Sequence, residues 1–175
     1  AVEVVLQPID LPDGRLVIGL SPIAAASRLG NRVIRFAEHY PRVRIDVESG
    51  IDKAFVAALH RGEIDVAISS QTAEQSDSVL LEQLAVEKWG VAGCKDNALL
   101  SAATSIADLA GARWIIGRNT AMLDAQIGET FTTAGVALPQ PGLMTTSVLF
   151  TLHALGCSSY LAILPQSLAK MAQMT

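Results

Sequence analysis

The residues of this sequence that could do chemistry fall into three groups. His39, His60 and His153 could move protons, and Cys94 and Cys157 could act as nucleophiles or metal ligands, but all five are scattered along the chain. No Cys-x-x-Cys or Cys/His spacing, Gly-x-Ser-x-Gly elbow, Walker loop, His-Glu-x-x-His run or paired-carboxylate signature accompanies them. They read as ordinary histidines and thiols, so no catalytic set, metal or organic cofactor is expected and the chain is not expected to be an enzyme. The third group is a series of short polar turns: Ser21-Pro22, Ser49-Gly50-Ile51, Ser69-Ser70, Arg118-Asn119-Thr120 and Thr145-Thr146-Ser147. Hydroxyls, backbone N–H groups and one guanidinium suit the holding of a small anion. Each also has a plainer reading. Ser21, Ser49, Thr120 and Ser147 stand where helix N-caps are expected, and Arg118 could be a solvated loop arginine.

Those turns form a site only if strands deliver them to one place. Leu16 to Leu20 is a short apolar run, the pattern of a strand buried on both faces. Leu29, Val33, Phe36, Ala37 and Tyr40 recur with helical spacing and predict an amphipathic helix stopped by Pro41, with Arg28, Arg32 and Arg35 on its solvent or dimer-facing side. Val43, Ile45 and Val47 alternate with Arg44, Asp46 and Glu48, a half-exposed strand. Ile51, Phe55, Ala58 and Leu59 mark a helix ending at Gly62, and Ile64 to Ile68 is a third strand. Val79 to Ala85 and Trp89 to Ala92 are expected to be strands, and Ser105 to Leu109 opens another unit whose strand is Trp114-Ile115-Ile116. Met122 to Ala134 predicts a helix, Gly142 to Thr145 a strand, Ser147 to Leu155 a helix, and Leu161 to Leu164 a last strand stopped by Pro165. Alternating strands and helices define an α/β fold, and two βαβ groups predict two lobes. In open α/β sheets ligands bind beyond the C-terminal strand ends, which is where the polar turns fall.

Composition bounds the reading from another side. Half of the 175 residues are hydrophobic and 17% are charged, against about 25% charged in an average soluble domain. That excludes a disordered chain. A net charge of -4 argues against a strongly basic nucleic-acid surface. Between Glu129 and Lys170 there is no Asp, Glu, Lys or Arg, but Pro139, Pro141, Gly142 and Ser158 interrupt the stretch before it could span a membrane. The first residues lack the features of a signal peptide. Because it begins at Ala1, the chain is expected to be an excerpt of a longer protein.

The ordered blocks carry a resemblance. Leu16-Val17-Ile18-Gly19-Leu20-Ser21, Phe36-Ala37-Glu38-His39-Tyr40-Pro41 and Val43-Arg44-Ile45-Asp46-Val47 resemble the opening of the effector-binding domain of LysR-type transcriptional regulators. Leu59-His60-Arg61-Gly62-Glu63-Ile64-Asp65-Val66-Ala67-Ile68 resembles that family's L-x-x-G-x-(L/I)-D-(L/V)-A-I block, and Asp108-Leu109-Ala110-Gly111, Gly135 and Ala162-Ile163-Leu164-Pro165 follow in order. The resemblance covers residues 16–165. This chain departs from the family at Arg28-Leu29-Gly30-Asn31, where Leu-Pro is usual, at Gly156 to Tyr160, and at Ile51, where many members place Ser or Thr.

The resemblance implies two Rossmann-like lobes similar to type 2 periplasmic binding proteins, with an effector held in the cleft between them. Residues 1–15 would be a lead-in, 16–85 lobe I lacking its return strand, and 86–175 lobe II. The polar turns make that small effector an anionic one, and the resemblance further implies a homodimer or homotetramer formed through the first helix. DNA would be contacted only through a helix-turn-helix domain upstream of Ala1, and the location would be cytoplasmic, with no membrane contact. The alternative is a periplasmic-type solute-binding protein of the same fold.

Overall fold

The computed structural model describes residues 14–50, 52–69, 79–117 and 121–172. The chain divides into two units, Ala1–Glu87 and Lys88–Thr175.

In the first unit the elements run β1 (Gly14–Leu20), α1 (Pro22–Ala26), α2 (Arg28–His39), β2 (Val43–Ser49), α3 (Asp52–His60) and β3 (Val66–Ile68). The strands form a parallel sheet in the order β2-β1-β3. The central strand β1 carries the apolar run, and Val17, Ile18 and Leu20 are buried. Val17 packs with Phe55 and Ala58 of α3 and with Ile64, which leads into β3. Helix α2 half-buries Leu29, Val33, Phe36, Ala37 and Tyr40, as its spacing predicts, and leaves Arg28, Arg32 and Arg35 exposed. Gly30 has no room for a side chain: a Cβ there would stand 2.1 Å from the Ala25 carbonyl oxygen of α1. This close approach of the two helices explains the glycine at a position where the resemblance leads one to expect Leu-Pro. Gly62, at φ +67°, ends α3 in the left-handed conformation that glycine adopts without strain.

Strand β3 is short, and a side chain completes its pairing with β1. The Asp65 N–H donates to the Val17 carbonyl at 2.9 Å, and the Val17 N–H donates to Asp65 Oδ2 at 2.7 Å. The carboxylate stands in for a ladder carbonyl that β3, beginning at Val66, does not supply. Farther along, Ile18, Gly19 and Leu20 pair with Val66, Ala67 and Ile68.

The second unit comprises β4 (Trp89–Gly93), α4 (Ala98–Ala102), a 3-10 turn (Ile106–Leu109), β5 (Trp114–Gly117), α5 (Ala121–Thr133), β6 (Pro141–Thr145), α6 (Val148–Cys157), β7 (Leu161–Pro165) and α7 (Gln166–Ala172). Its sheet has the order β4-β7-β5-β6, antiparallel only between β4 and β7. Trp114 and Phe131 meet edge to face with ring centroids 5.4 Å apart, and Leu109 and Leu161 complete that cluster. The buried Trp114 indole N–H is satisfied by the Leu109 carbonyl at 3.3 Å. A second cluster packs Ile115, Ala154, Leu155, Tyr160 and Ala162 together. Arg113 stacks over the Tyr160 ring, 4.4 Å from its centroid, and donates to its hydroxyl.

Three features differ from the sequence expectation. Val79 to Ala85 is not a strand: the segment makes no ladder and exposes Leu80, Leu81 and Leu84. Its apolar residues favour a strand, but a strand exists only where a partner takes its N–H and C=O groups. Pro165 ends β7 as expected, whereas Pro22, read as punctuation after β1, also opens a helix, α1, that was not expected. Proline is tolerated there because the first helical N–H groups have no intrahelical acceptor. The short helix α4 is also additional, capped by Asn97, whose Oδ1 accepts from the Leu100 N–H at 3.0 Å.

Two predictions follow from these contacts. Asp65→Ala leaves the Val17 N–H without its acceptor and is expected to lower unfolding free energy by about 1–3 kcal/mol in urea melts, with Asp65→Asn nearer wild type because an amide oxygen still accepts. Equal stability of both variants and wild type would remove the proposed pinning role. Acid acts through Asp108. The Thr104 N–H, the Ser105 N–H and then the two hydroxyls donate to its carboxylate and hold its pKa below the ordinary aspartate value. A lowered folded-state pKa contributes stability that is fully present above the unfolded value, about 3.9, and is lost as pH falls through the folded value. Melting temperatures measured from neutral pH downward are expected to fall less steeply below about pH 4 in Asp108→Asn than in wild type.

Candidate ligand-binding edges

Because β1, β2 and β3 are parallel, their C-terminal ends lie along one edge of the first unit's sheet. Leu20 pairs with Ser49 on one side and with Ile68 on the other. The residues at that edge are therefore Ser21 and Pro22 after β1, Ser49 and Gly50 at the end of β2, and Ser69 after β3. Adjacent strands are about 4.8 Å apart, a spacing that one carboxylate-sized group can bridge. Sequence reasoning brought these residues together correctly as strand ends, but their roles differ. Ser21 is buried, caps α1 by accepting from the Ala24 N–H at 3.2 Å, and sends its own N–H to the Ile68 carbonyl at 3.0 Å. Ser49 is exposed and closes β2; α3 begins only at Asp52, so Ser49 is not that helix's cap. Pro22, Gly50 and Ser69 are half-buried.

The edge is shaped from below by Phe55. A Cβ on Gly19 would stand 2.7 Å from Phe55 Cδ1, and one on Gly50 would stand 2.7 Å from Phe55 Cε1. Both glycines are thus demanded by one buried ring. Sequence reasoning placed Phe55 in the core but missed this role, and it quoted Asp65 only as part of a motif. The available signals were a glycine inside an otherwise apolar strand, Gly19, and an acid just before a short one, Asp65.

In the second unit Gly117 pairs with Thr145, so the C-terminal ends of β5 and β6 share an edge. The Thr145 hydroxyl accepts from the Ser147 N–H at 3.0 Å. Ser147 caps α6 by accepting from the Phe150 N–H at 3.2 Å, and its carbonyl accepts from Thr151. Thr146 and Ser147 are both exposed. Five of the expected residues, Ile51, Ser70, Arg118, Asn119 and Thr120, lie outside the described residues. His39, His60 and His153 are exposed and stand on three different helices. Among the described residues no three His, Cys, Asp or Glu side chains gather as a metal site, and no helix is long and apolar enough to cross a membrane.

In open α/β domains ligands are held beyond the C-terminal ends of the strands, where these polar residues lie. Family membership agrees. The chain belongs to the LysR substrate binding domain family, whose model matches residues 10–174. Solved structures share the fold. The effector binding domain of BenM with its effector benzoate superposes with a TM-score of 0.72 at 16% identity, over 91% of this chain and 72% of that one. The effector binding domain of QuiR in complex with shikimate gives 0.72 at 18% identity, over 91% and 78%. The regulatory domain of MexT, a transcriptional activator in Pseudomonas aeruginosa, gives 0.74 at 17% identity, over 93% and 78%. The chain covers 55% of CbnR, a LysR family transcriptional regulator. The fold is accordingly that of LysR effector-binding domains, which is like that of type 2 periplasmic binding proteins. Family and fold are those of transcription-regulator effector domains rather than of enzymes.

Capping and ligand contact can be separated by mutation. Ser147→Ala is expected to cost about 0.5–2 kcal/mol of stability through its lost cap, whereas Thr146→Ala, which removes no cap, should change it by less than about 0.5 kcal/mol. Thermal melts of the two variants check the assignment, and equal losses would contradict it.

Proposed function

We propose that this domain senses a small anionic effector for a LysR-type transcriptional regulator and that the polar strand-end edges hold it. The observation that carries the reading is the parallel register of the first unit's sheet. It sets Ser21, Ser49, Gly50 and Ser69 on three adjacent strand ends, where hydroxyl donors could share one carboxylate. In the second unit Thr145, Thr146 and Ser147 offer the same chemistry at the start of α6, where the helix dipole adds favourable potential. Ile51, Ser70, Arg118, Asn119 and Thr120 belong to the proposal through their sequence positions beside these ends. The relatives' ligands support the effector class: benzoate and shikimate are both carboxylates.

In this reading the effector biases an equilibrium between arrangements of a cytoplasmic homodimer or homotetramer, and DNA is contacted through a helix-turn-helix domain upstream. A ligand can shift that equilibrium only by its difference in affinity for the two states. The solute-binding alternative is not favoured, because the matching family is that of the regulators. A thermal-shift screen of benzoate, shikimate and other aromatic, aliphatic and sugar carboxylates tests the proposal. A true effector at a hundred times its Kd is expected to stabilise the domain by about 2.7 kcal/mol. Ser49→Ala should reduce that shift while leaving the unliganded midpoint unchanged. No shift from any carboxylate would overturn the reading.

A further inference from the structure

Phe55 is 4% exposed, and its ring lies against two backbone positions that have no side chain. Gly19 is in β1, two residues before Ser21, and Gly50 directly follows Ser49 at the end of β2. At Gly19 a Cβ would also meet Ile64 Cδ1 at 2.8 Å, so that position is walled by two side chains. At Gly50 the three nearest atoms are all in the Phe55 ring, at 2.7, 3.1 and 3.4 Å. Contacts under about 3.4 Å to a Cβ require the neighbour to give way. A buried ring that faces both positions has to turn or shift to make room, and a shift carries its helix with it.

We infer that Phe55 is a positioning residue for the candidate site: its ring sets the height of the Ser49–Gly50 end of β2 against Ser21 on β1. The inference rests on the effector-sensing reading above and names the part of the scaffold that tunes it. Packed interiors transmit a volume change to their neighbours rather than absorbing it. A smaller side chain at 55 would let Gly50 sink, and a methyl group at 50 would lift it, so either change would separate Ser49 from Ser21. Combining the two changes should restore the spacing, because the added methyl group would fill part of the space the ring vacates.

The test is a size-swap cycle of wild type, Phe55→Leu, Gly50→Ala and the double variant. Melting temperature is measured beside binding of benzoate and shikimate by titration calorimetry. Each single variant is expected to melt lower and to bind at least about fivefold more weakly, with the double variant recovering most of both losses. Phe55→Met, whose unbranched side chain reaches farther toward the Gly50 backbone than the branched one of leucine, should stay nearer to wild type in affinity than Phe55→Leu. If Gly50→Ala does not fold, Phe55→Leu against Phe55→Met decides by the same criterion. Lower melting temperatures with affinities within twofold of wild type would make Phe55 a packing residue only, and would overturn the inference while leaving the effector reading intact. Failure of wild type to bind either carboxylate would overturn the inference for these head groups. The effector reading itself would then fall only if the wider carboxylate screen were also silent.

Discussion

Asp65 and Val17 exchange two hydrogen bonds, one from each backbone N–H, and one of the two acceptors is a side chain. That pair anchors β3, a strand of three residues, at a single register on β1. A one-residue slip of so short a strand would turn its side chains to the opposite face and carry Ser69 away from Ser21. The alignment of the first unit's polar edge therefore depends on a carboxylate at the far end of the strand it aligns. The same acid sits inside the Gly62-to-Ile68 block, so the most recognisable sequence motif and the main registry device coincide.

Above that anchor, the close approach of Phe55 to Gly19 and Gly50 places the C-terminal edge. The second unit solves its packing differently. Its core is built on Trp114, Phe131 and Leu161, and its uncharged stretch supplies β6, α6 and β7. The stretch without charges, which as a sequence raised the question of a membrane span, holds buried Thr151, Ala154 and Leu155 on one side of α6 and exposed Thr146 and Ser147 at its start. Serine and threonine give this region polarity without the desolvation cost that charged groups would bring to a partly buried edge.

Much of the fold was legible because its signals are local. Apolar runs marked β1 and β7, helical spacing marked α2, and the placement of Gly62 marked the end of α3. The misreadings also have local causes. Pro22 both follows β1 and opens α1, and only the hydrogen-bond partners of the following residues reveal the helix. Val79 to Ala85 has strand composition, but pairing depends on a neighbour that composition does not reveal. The strand-end residues could be predicted from topology, yet the burial of Ser21 and the exposure of Ser49 could not. Those depend on α1 folding over the end of β1, and α1 was the helix hidden behind Pro22. The roles of Asp65 and Phe55 left only indirect signals, the glycine inside β1 and the acid before β3, since each arises from contact with a strand distant in sequence.

The central claim is that the strand-end hydroxyls of Ser21, Ser49 and Ser69 act together as a carboxylate-binding edge. Backbone amide chemical shifts followed by NMR while a carboxylate found to bind is titrated in test this directly. The account predicts that the amides of residues 21, 49, 50 and 69 move together along one saturable curve, with those of Arg28, Arg32 and Arg35 on the exposed face of α2 unchanged. Saturable binding that leaves all four strand-end amides in place would contradict it.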